Sequence, residues 1–346
     1  MNYLINTLCK KEKNERPPIW IMRQAGRYLP EYRADRSQAK DFLNLCYTPE
    51  LASKVTLQPI ERFKFDAAII FSDILVIPDA LGMDVKFIKG EGPKLEKISE
   101  LSDLKNLKID NIKPHLNPVF EALKLTKSKL DSDTALIGFS GSPWTLASYM
   151  IEGGGSKAFE NTRRKAIEDE RFFSELIEIL TQSIILYLSH KIEAGATVIK
   201  LFDSWAGVLP PEQLRKWVIN PTKRIVSELN KLYPNIPIIC FPRGIGVNYL
   251  EFAQRVQSQG LAIDQTLDKK WVKKHLQEEM GVVIQGNLDN VLLAFGSKEE
   301  IKKETLNILE TFGDHPFIFN LGHGILPPTP IENVQMVVDL VRGNKV

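Results

Sequence analysis

The chain has 346 residues, of which 43% are hydrophobic and 25% charged, with a formal net charge of +2. These fractions are typical of a soluble globular protein with a full core, and so small a net charge argues against a nucleic-acid or membrane-surface partner. No uninterrupted apolar run approaches the roughly 18 residues of a membrane span. The three cysteines, Cys9, Cys46 and Cys240, lie far apart, which favours a reducing cytoplasm over a disulfide framework or a structural zinc site.

The first predicted element is a short buried strand over residues 19–22, which stops at Arg23. An irregular segment with Gly26, Arg27 and Pro30 follows it. Arginine presents a planar fork of donors that suits carboxylates and phosphates. From these residues alone, an anion-binding loop and a solvated basic loop are equally good interpretations.

Seven further apolar runs follow, and each ends in polar or glycine-rich residues. Near-continuous apolar runs are typical of parallel strands that are covered on both faces. The seven predicted strands cover residues 67–73, 135–141, 197–203, 236–243, 261–266, 282–288 and 317–322.

The segments between these strands show the apolar spacing of amphipathic helices. The predicted helices cover residues 49–63, 161–194, 211–233, 249–258, 268–279, 297–311 and 330–341. We interpret the glycines at 153–155 as a helix stop, because they follow a helix-like stretch and not an early strand. Residues 83–92 are expected to form an inserted strand or hairpin.

Eight strands that alternate with helices predict an α/β fold, a (β/α)8 TIM-type barrel with its active site at the C-terminal ends of the strands. We expect one domain over residues 1–346, with residues 1–16 as an N-terminal extension. The polar residues at or just beyond the predicted strand ends are Arg23, Gln24, Arg27, Ser72, Asp73, Tyr149, Asp203, Ser204, Arg243, Asp264, Asn287, Asp289 and His323.

These candidates differ in how well a purely structural role explains them. Asp73 precedes an apolar stretch and is hard to solvate, and His323 lies between two glycines, so both favour function. Asp203 and Asp289 are well explained as helix caps, whereas Tyr149 is as readily a core residue as a site residue. Ser204 is equally open, and Lys200, in mid-strand, is expected to point outward.

Several catalytic patterns do not occur in the sequence. There is no zinc-type spacing of histidine and cysteine, no G-x-S-x-G elbow and no P-loop. What remains is a rim with arginine donors for an anionic substrate and one carboxylate for an electropositive group.

Six blocks in register resemble the uroporphyrinogen decarboxylase family of haem biosynthesis. They are PPIWIMRQAGRYLPEYR, FSDILVIPDALGMDV, SGSPWTLASYMIEGGGSK, LFDSWAG, IQGNLD and FNLGHGI. One departure is visible at residues 261–266 (LAIDQT), where Gln265 replaces a tryptophan that the resemblance leads us to expect. The resemblance implies a carboxy-lyase on a (β/α)8 barrel, usually a homodimer, that acts without metal or organic cofactor. Its substrate would be the small molecule uroporphyrinogen III, which loses four acetate carboxylates to give coproporphyrinogen III and CO2.

The resemblance also implies roles for individual residues. Asp73 would be the central catalytic carboxylate, assisted by Arg23 and Arg27. The substrate-binding residues would be Arg23, Gln24, Ala25, Gly26, Arg27, Asp73, Tyr149, Ser204 and His323. The proton donor is open between an arginine, acting directly or through water, and His323.

Two alternatives come from other classes of protein. A zinc- or corrinoid-dependent methyltransferase on a related barrel needs a metal-bound thiolate, but Cys240 lies within a predicted strand and has no His-x-Cys neighbour. A non-catalytic tetrapyrrole carrier would share the basic rim and would have no need of a buried Asp73.

Overall fold

Seven parallel strands form one sheet in the computed structural model, which describes residues 2–88 and 90–344. The strands of the chain are β1 Ala67–Ile69, β2 Val85–Ile88, β3 Gly92–Leu95, β4 Ala135–Gly141, β5 Val198–Asp203, β6 Ile238–Pro242, β7 Gly260–Ala262, β8 Val283–Leu288 and β9 Phe317–Leu321. The parallel sheet has the order β1-β4-β5-β6-β7-β8-β9, and β2 pairs with β3 as a separate antiparallel hairpin. Every residue of the seven sheet strands is buried, as the near-continuous apolar runs predict.

Helices connect consecutive strands of the sheet. They are α1 Tyr3–Ile5, α2 Pro30–Arg36, α3 Phe42–Cys46, α4 Pro49–Phe63, α5 Val76–Ala80, α6 Leu101–Leu104, α7 Ile112–Lys127, α8 Pro143–Glu152, α9 Glu160–Glu168, α10 Glu170–Glu193, α11 Pro211–Leu214, α12 Asn220–Leu232, α13 Tyr249–Val256, α14 Lys269–Val272, α15 Asn290–Phe295, α16 Lys298–Phe312 and α17 Ile331–Val341. By length and composition α10 could cross a membrane, but 61% of its apolar window is buried inside the protein, as in a core helix.

Residues 18–20 lie between the two edge strands of the sheet. On one side, the Phe319 amide in β9 donates to the Pro18 carbonyl at 2.9 Å, and the Trp20 amide donates to the Phe319 carbonyl at 3.4 Å. On the other side, the Asp66 amide, next to β1, donates to the Ile19 carbonyl at 2.9 Å. The strand predicted over residues 19–22 is therefore reduced to one parallel bridge at Ile19, but this segment contacts both edges and curls the sheet toward closure.

Two predicted elements differ from the observed ones for local reasons. The strand predicted over residues 67–73 ends at Ile69, because the Phe71 amide leaves the sheet and donates to Thr56 Oγ1 at 2.9 Å. The helix predicted over residues 161–194 is two helices, α9 and α10. Asp169 separates them, because its side chain accepts from the Phe172 amide and caps α10.

The segment before residue 17, expected to be an extension, is packed against the sheet. Leu4 in α1 is buried, and so is Leu8 in the wide helical turn Asn6–Lys10 that follows. A Cβ on Gly260 in β7 would lie 2.7 Å from Leu8 Cδ2, so this glycine makes room for the helix. Arg16 forms a two-pronged ion pair with Asp66, with both N–O distances at 2.8 Å.

Candidate active site

A cavity of about 560 Å³ opens at the C-terminal ends of the strands, a size typical of small-molecule sites. The loops after the residue 18–20 segment, β1, β5 and β9 contribute to its wall, together with α8 and the β2–β3 hairpin. Among the polar side chains on the wall are Arg23, Arg27, Ser72, Asp73, Tyr149, Ser204 and His323. Seven of the thirteen polar candidates, from separate predicted strand ends, therefore meet in one cavity, whereas the other six do not line it: Gln24, Asp203, Arg243, Asp264, Asn287 and Asp289.

Arg23 occupies a strained position where the first segment turns away from the sheet. Its φ of 64° is left-handed, a conformation that side chains other than glycine rarely adopt and that recurs at functional sites. A turn fixes this conformation, because the Gln24 amide donates to the Ile21 carbonyl at 2.9 Å. Gly26 is required in the same turn, since a Cβ there would lie 2.8 Å from the Arg23 carbonyl oxygen.

Gln24, one of the predicted substrate-binding residues, lies behind this loop and does not line the cavity. Its side chain is fully buried. Its Oε1 accepts from the Ile21 amide at 3.1 Å, and its Nε2 donates to the Ala67 carbonyl in β1 at 2.9 Å. Both ends of the amide are thus engaged in fastening the arginine loop to the sheet, which makes Gln24 a positioning residue.

Arg33 in α2 holds the other end of the same loop. Its Nη1 donates to the carbonyl of Arg27 at 2.7 Å and to the carbonyl of Tyr28 at 3.2 Å. By contrast, within residues 2–88 and 90–344 the guanidinium groups of Arg23 and Arg27 carry no hydrogen bond or ion pair to other side chains or to the backbone. The loop is therefore fixed through its backbone while its two cationic groups stay available for an anion.

Asp73 follows β1 on the opposite wall. Its Oδ1 accepts from the Leu75 amide at 2.9 Å, just before α5. Burial raises the pKa of Asp73 above its ordinary value, and this effect outweighs the lowering by the Leu75 and Ile74 amides and by the charge of Arg23. A half-buried carboxylate with spare acceptor capacity favours a ligand that brings N–H donors.

Two glycines determine the surroundings of His323. A Cβ on Gly324 would lie 2.4 Å from Arg23 Cδ, so the arginine side chain passes directly over this glycine. A Cβ on Gly322 would lie 2.4 Å from the amide nitrogen of Gln265, the residue found where the resemblance predicts tryptophan. The His323 ring lies between these two close contacts and faces the cavity.

His323 is neutral in the free protein. Burial, followed by the positive charges of Arg23 and Arg243, lowers the pKa of His323 to about 3, while Asp264 opposes this shift. Its Nδ1 is buried and has no hydrogen-bond partner within the described ranges. A neutral imidazole offers one N–H donor and one acceptor.

Tyr149 and Ser204 face the cavity from α8 and from the end of β5. Burial raises the pKa of Tyr149 above its ordinary value. The Tyr149 and Trp205 rings are arranged edge to face with centroids 6.2 Å apart. Gly153 ends α8 in a left-handed conformation with φ of 73°, as predicted for a helix stop.

The apolar part of the wall was missed by the sequence analysis. Phe139 and Phe202 project from neighbouring strands β4 and β5 and contact each other edge to face at 5.6 Å. Phe87 and Pro93 of the β2–β3 hairpin complete the lining, so the predicted insertion is part of the site. The strand alternation of β4 and β5 could have identified the two phenylalanines, but no sequence signal pointed to the hairpin.

Lys200 points into the fold and not outward as predicted. It is fully buried on β5, with its Nζ 5.2 Å from the centroid of the Phe202 ring and 5.4 Å from that of Trp20. Burial lowers the pKa of Lys200 to about 7. The Lys200 amine therefore lies on the same inward face of β5 as Phe202, directly below the aromatic floor of the cavity.

The remaining acidic candidates lie outside the cavity wall. Asp289 caps α15 by accepting from the Val291 amide at 2.9 Å, as predicted. Asp203 is no cap, since it accepts from Thr145 Oγ1 at 2.6 Å, and burial raises its pKa to about 7. Asp264 accepts from the Gly244 amide at 2.8 Å and binds Thr266 through its backbone and hydroxyl.

A curled parallel α/β sheet whose strand ends surround an arginine-rich cavity with one half-buried carboxylate defines an enzyme of the barrel class that acts on an anionic small molecule. Comparison with known proteins identifies the family to which this enzyme belongs. Residues 2–343 match the family model described as uroporphyrinogen decarboxylase (URO-D). The chain belongs to the uroporphyrinogen decarboxylase family.

Individual relatives agree with this assignment. The chain is 48% identical to a uroporphyrinogen decarboxylase of Jannaschia sp. over 94% of this chain and 95% of the relative. It is 47% identical to that of Rhodospirillum rubrum over 94% and 93% of the two chains. Among solved structures, a methyltransferase from Methanosarcina mazei superposes with a TM-score of 0.80 over 99% of this chain and 97% of that one, and its 21% identity supports the fold alone.

Proposed function

We propose that this chain decarboxylates the four acetate side chains of uroporphyrinogen III, giving coproporphyrinogen III and CO2, and that Asp73 is the catalytic carboxylate. The observation that carries the proposal is the placement of Asp73 and two unpaired arginines on the wall of one cavity with an aromatic floor. A reduced tetrapyrrole has an apolar ring system, central N–H donors and a periphery of carboxylates. The cavity offers a complementary partner for each of these parts.

Substrate binding follows from the charges. The substrate carries eight carboxylates, and charge-assisted bonds from Arg23 and Arg27 would supply both affinity and orientation. His323, Tyr149 and Ser204 would add uncharged donors. The pyrrole N–H groups would point at Asp73, and these additional donors would lower its pKa and keep it ionised in the complex.

The decarboxylation then needs no external electron sink, because the protonated pyrrole ring itself can accept the electron pair. Protonation of the ring carbon next to the one that bears the acetate gives a cationic pyrrole close to Asp73. Loss of CO2 delivers the electron pair of the broken C–C bond into that cation. Protonation of the exocyclic carbon and loss of the first proton from the ring then leave a methyl group. Asp73 would stabilise the positive charge that develops in the transition state.

The source of the proton is the least constrained part of the proposal. In the free protein His323, whose pKa is about 3, is not an imidazolium at neutral pH, so its ring lacks the acidic proton of a general acid. This favours delivery from Arg23 or Arg27, directly or through a water held by their donors, over delivery from His323. Both arginines bind the acetate in either case.

The methyltransferase alternative fits this chain poorly. Its chemistry requires a metal-bound thiolate, and within residues 2–88 and 90–344 no cluster of three or more His, Cys, Asp or Glu side chains has a geometry that could hold a metal ion. Cys240 is buried, and burial raises its pKa to about 12, which keeps the thiol protonated. A non-catalytic tetrapyrrole carrier would be distinguished from a decarboxylase only by an activity assay.

The proposal extends to the architecture and the setting of the enzyme. The hydrogen bonds of residues 18–20 to both edge strands support their role as the eighth strand of a closed (β/α)8 barrel. A hydrophobic core cluster that extends from Leu4 to Val341 supports a single domain over residues 1–346. We further propose a cytoplasmic homodimer without bound nucleic acid or membrane, in line with the family resemblance and the small net charge.

The decisive experiment is incubation of the purified protein with uroporphyrinogen III under anaerobic reducing conditions. Porphyrins with seven, six, five and four carboxylates should appear in turn on chromatography after oxidation. Bound but unchanged eight-carboxylate material would support the carrier alternative. Absence of both turnover and binding would overturn the assignment of the cavity.

A further inference from the structure

Arg243 is a cationic residue at a strand end to which the proposed mechanism gives no role. It directly follows β6, the middle strand of the sheet, whereas Arg23 lies in the segment between the two edges. The sheet curls so that these two positions face each other across its open end. Arg243 is half-buried.

Strand alternation determines the direction of the Arg243 side chain. Phe241 points into the fold, because its ring centroid lies 6.4 Å from that of Phe202 and 5.6 Å from Lys200 Nζ. Side chains two residues apart on a strand share a face. The hydrogen-bond ladder reaches Arg243, the turn residue directly after β6, whose amide donates to the Asp203 carbonyl at 3.1 Å. This register favours the face of Phe241 for the Arg243 side chain, which lies beyond the residues that line the cavity.

The backbone of Arg243 is held firmly while its guanidinium is unpaired. The Arg243 carbonyl accepts from the Gly207 amide at 3.0 Å. The next residue, Gly244, has φ of 80° and packs so closely on Gly207 that a Cβ on Gly207 would lie 2.6 Å from the Gly244 oxygen. Within residues 2–88 and 90–344, the guanidinium of Arg243 makes no hydrogen bond or ion pair.

Asp264, an acidic residue that contacts the neighbouring Gly244, is engaged by other groups. Asp264 Oδ2 accepts from the Gly244 amide at 2.8 Å and lies 3.4 Å from the Tyr249 hydroxyl. Its Oδ1 is engaged by Thr266. A half-buried arginine on a rigid backbone, beside a carboxylate that is already occupied, is arranged to receive an anion from outside the chain.

We propose that Arg243 is a further substrate-binding residue, which pairs with a carboxylate on the side of the macrocycle opposite to the one held by Arg23 and Arg27. This inference rests on the proposed function, because only a ligand with carboxylates around its whole periphery needs cations on both sides of the mouth. His323, on the cavity wall, lies within the electrostatic reach of both Arg23 and Arg243, so Arg243 is near the cavity.

The test is steady-state kinetics with uroporphyrinogen III. Arg243→Met should raise KM about 5- to 30-fold, as expected for the loss of one partly desolvated charge pair, with kcat within about twofold of the wild type. Arg243→Lys keeps the charge without the planar fork and should raise KM by about threefold. Arg255→Met is the matched control, because Arg255 on α13 is exposed and pairs with Glu251 at 2.7 Å on the outside of the fold, and its KM should not change.

The outcomes separate this inference from the proposed function. An inactive wild-type protein would refute the proposed function itself. An active wild type whose KM is unchanged in both Arg243 variants would overturn the role of Arg243 alone, as would a fall in kcat at constant KM. Melting temperatures are measured in parallel, and if Arg243→Met does not fold, Arg243→Lys decides by the same criterion.

Discussion

Arg23 lies close enough to Asp73 to lower the pKa of its carboxyl group, yet within the described part of the chain, 2–88 and 90–344, no ion pair joins the two side chains. Arg23 is held back by its left-handed backbone and by its passage over Gly324. Asp73 is held by the Leu75 amide. The separation keeps a cation and an anion available in one cavity, one for the carboxylates and one for the ring of the substrate.

Replacement of Asp73 tests the electrostatic role of its charge. Asp73→Asn keeps an acceptor for the Leu75 amide and removes the negative charge, so we expect a folded protein whose kcat is lower by about 100- to 1,000-fold. Asp289→Asn is the matched control, because asparagine caps a helix as well as aspartate does and Asp289 lies outside the cavity. A near-normal kcat in Asp73→Asn, measured by porphyrin chromatography, would end the proposal that this charge stabilises the cationic intermediate.

Gly324→Ala tests whether the path of the Arg23 side chain matters for substrate binding. The new Cβ would lie 2.4 Å from Arg23 Cδ and 2.9 Å from Arg23 Nε, so the guanidinium must move. We expect KM to rise about tenfold with a small loss of stability, because the displaced group is the end of a flexible side chain. Gly155→Ala, whose Cβ would meet nothing within 4 Å, should behave as the wild type. Equal KM values for the two variants would show that Arg23 does not bind substrate from its observed position.

Hydrophobic periodicity predicted the strand positions well, because seven of the eight apolar runs are buried strands of one parallel sheet. It failed where a side chain competes with the sheet for backbone groups. Thr56 draws the Phe71 amide out of β1, and Gln24 takes the Ile21 amide that a strand would have used. These contacts join residues 15 and 3 positions apart in the chain, and a pattern of apolar residues indicates neither of them.

The direction of a side chain was the least predictable feature. Lys200, in mid-strand, was expected to point outward, yet the register of β5 places it on the same face as Phe202. Gln24 was assigned to the cavity by position within a motif, and the turn at Arg23 rotates it away. Motifs locate a functional loop, whereas the turn geometry decides which of its side chains face the ligand.

The protonation state of His323 is open to direct measurement. Because its pKa is lowered to about 3, its ring should stay neutral from pH 8 down to pH 5 in the free protein. NMR of labelled imidazoles, with the signal assigned by its loss in His323→Gln, should show no titration in that range. Arg23→Met removes one of the causes and should move the pKa of His323 upward. A signal of His323 that titrates near pH 6.5 in the wild type would contradict the neutral imidazole and restore it as a candidate proton donor.

Burial of Lys200 should lower the free energy of unfolding by an amount that depends on pH. The pKa of Lys200 is about 7 in the folded protein, against an ordinary value of 10.5 for lysine, so between these pH values the unfolded chain binds more protons and stability rises with pH. Below pH 7 the cost is present in full, on the order of 5 kcal/mol from the size of the shift. Lys200→Met should therefore unfold at higher denaturant than the wild type at pH 6, and the difference should shrink steadily toward pH 10. Lys231→Met, at an exposed position on α12, should show no such trend. A constant difference across the range would mean that Lys200 is charged and solvated in the folded protein, since a buried neutral amine is what makes the gap close with rising pH.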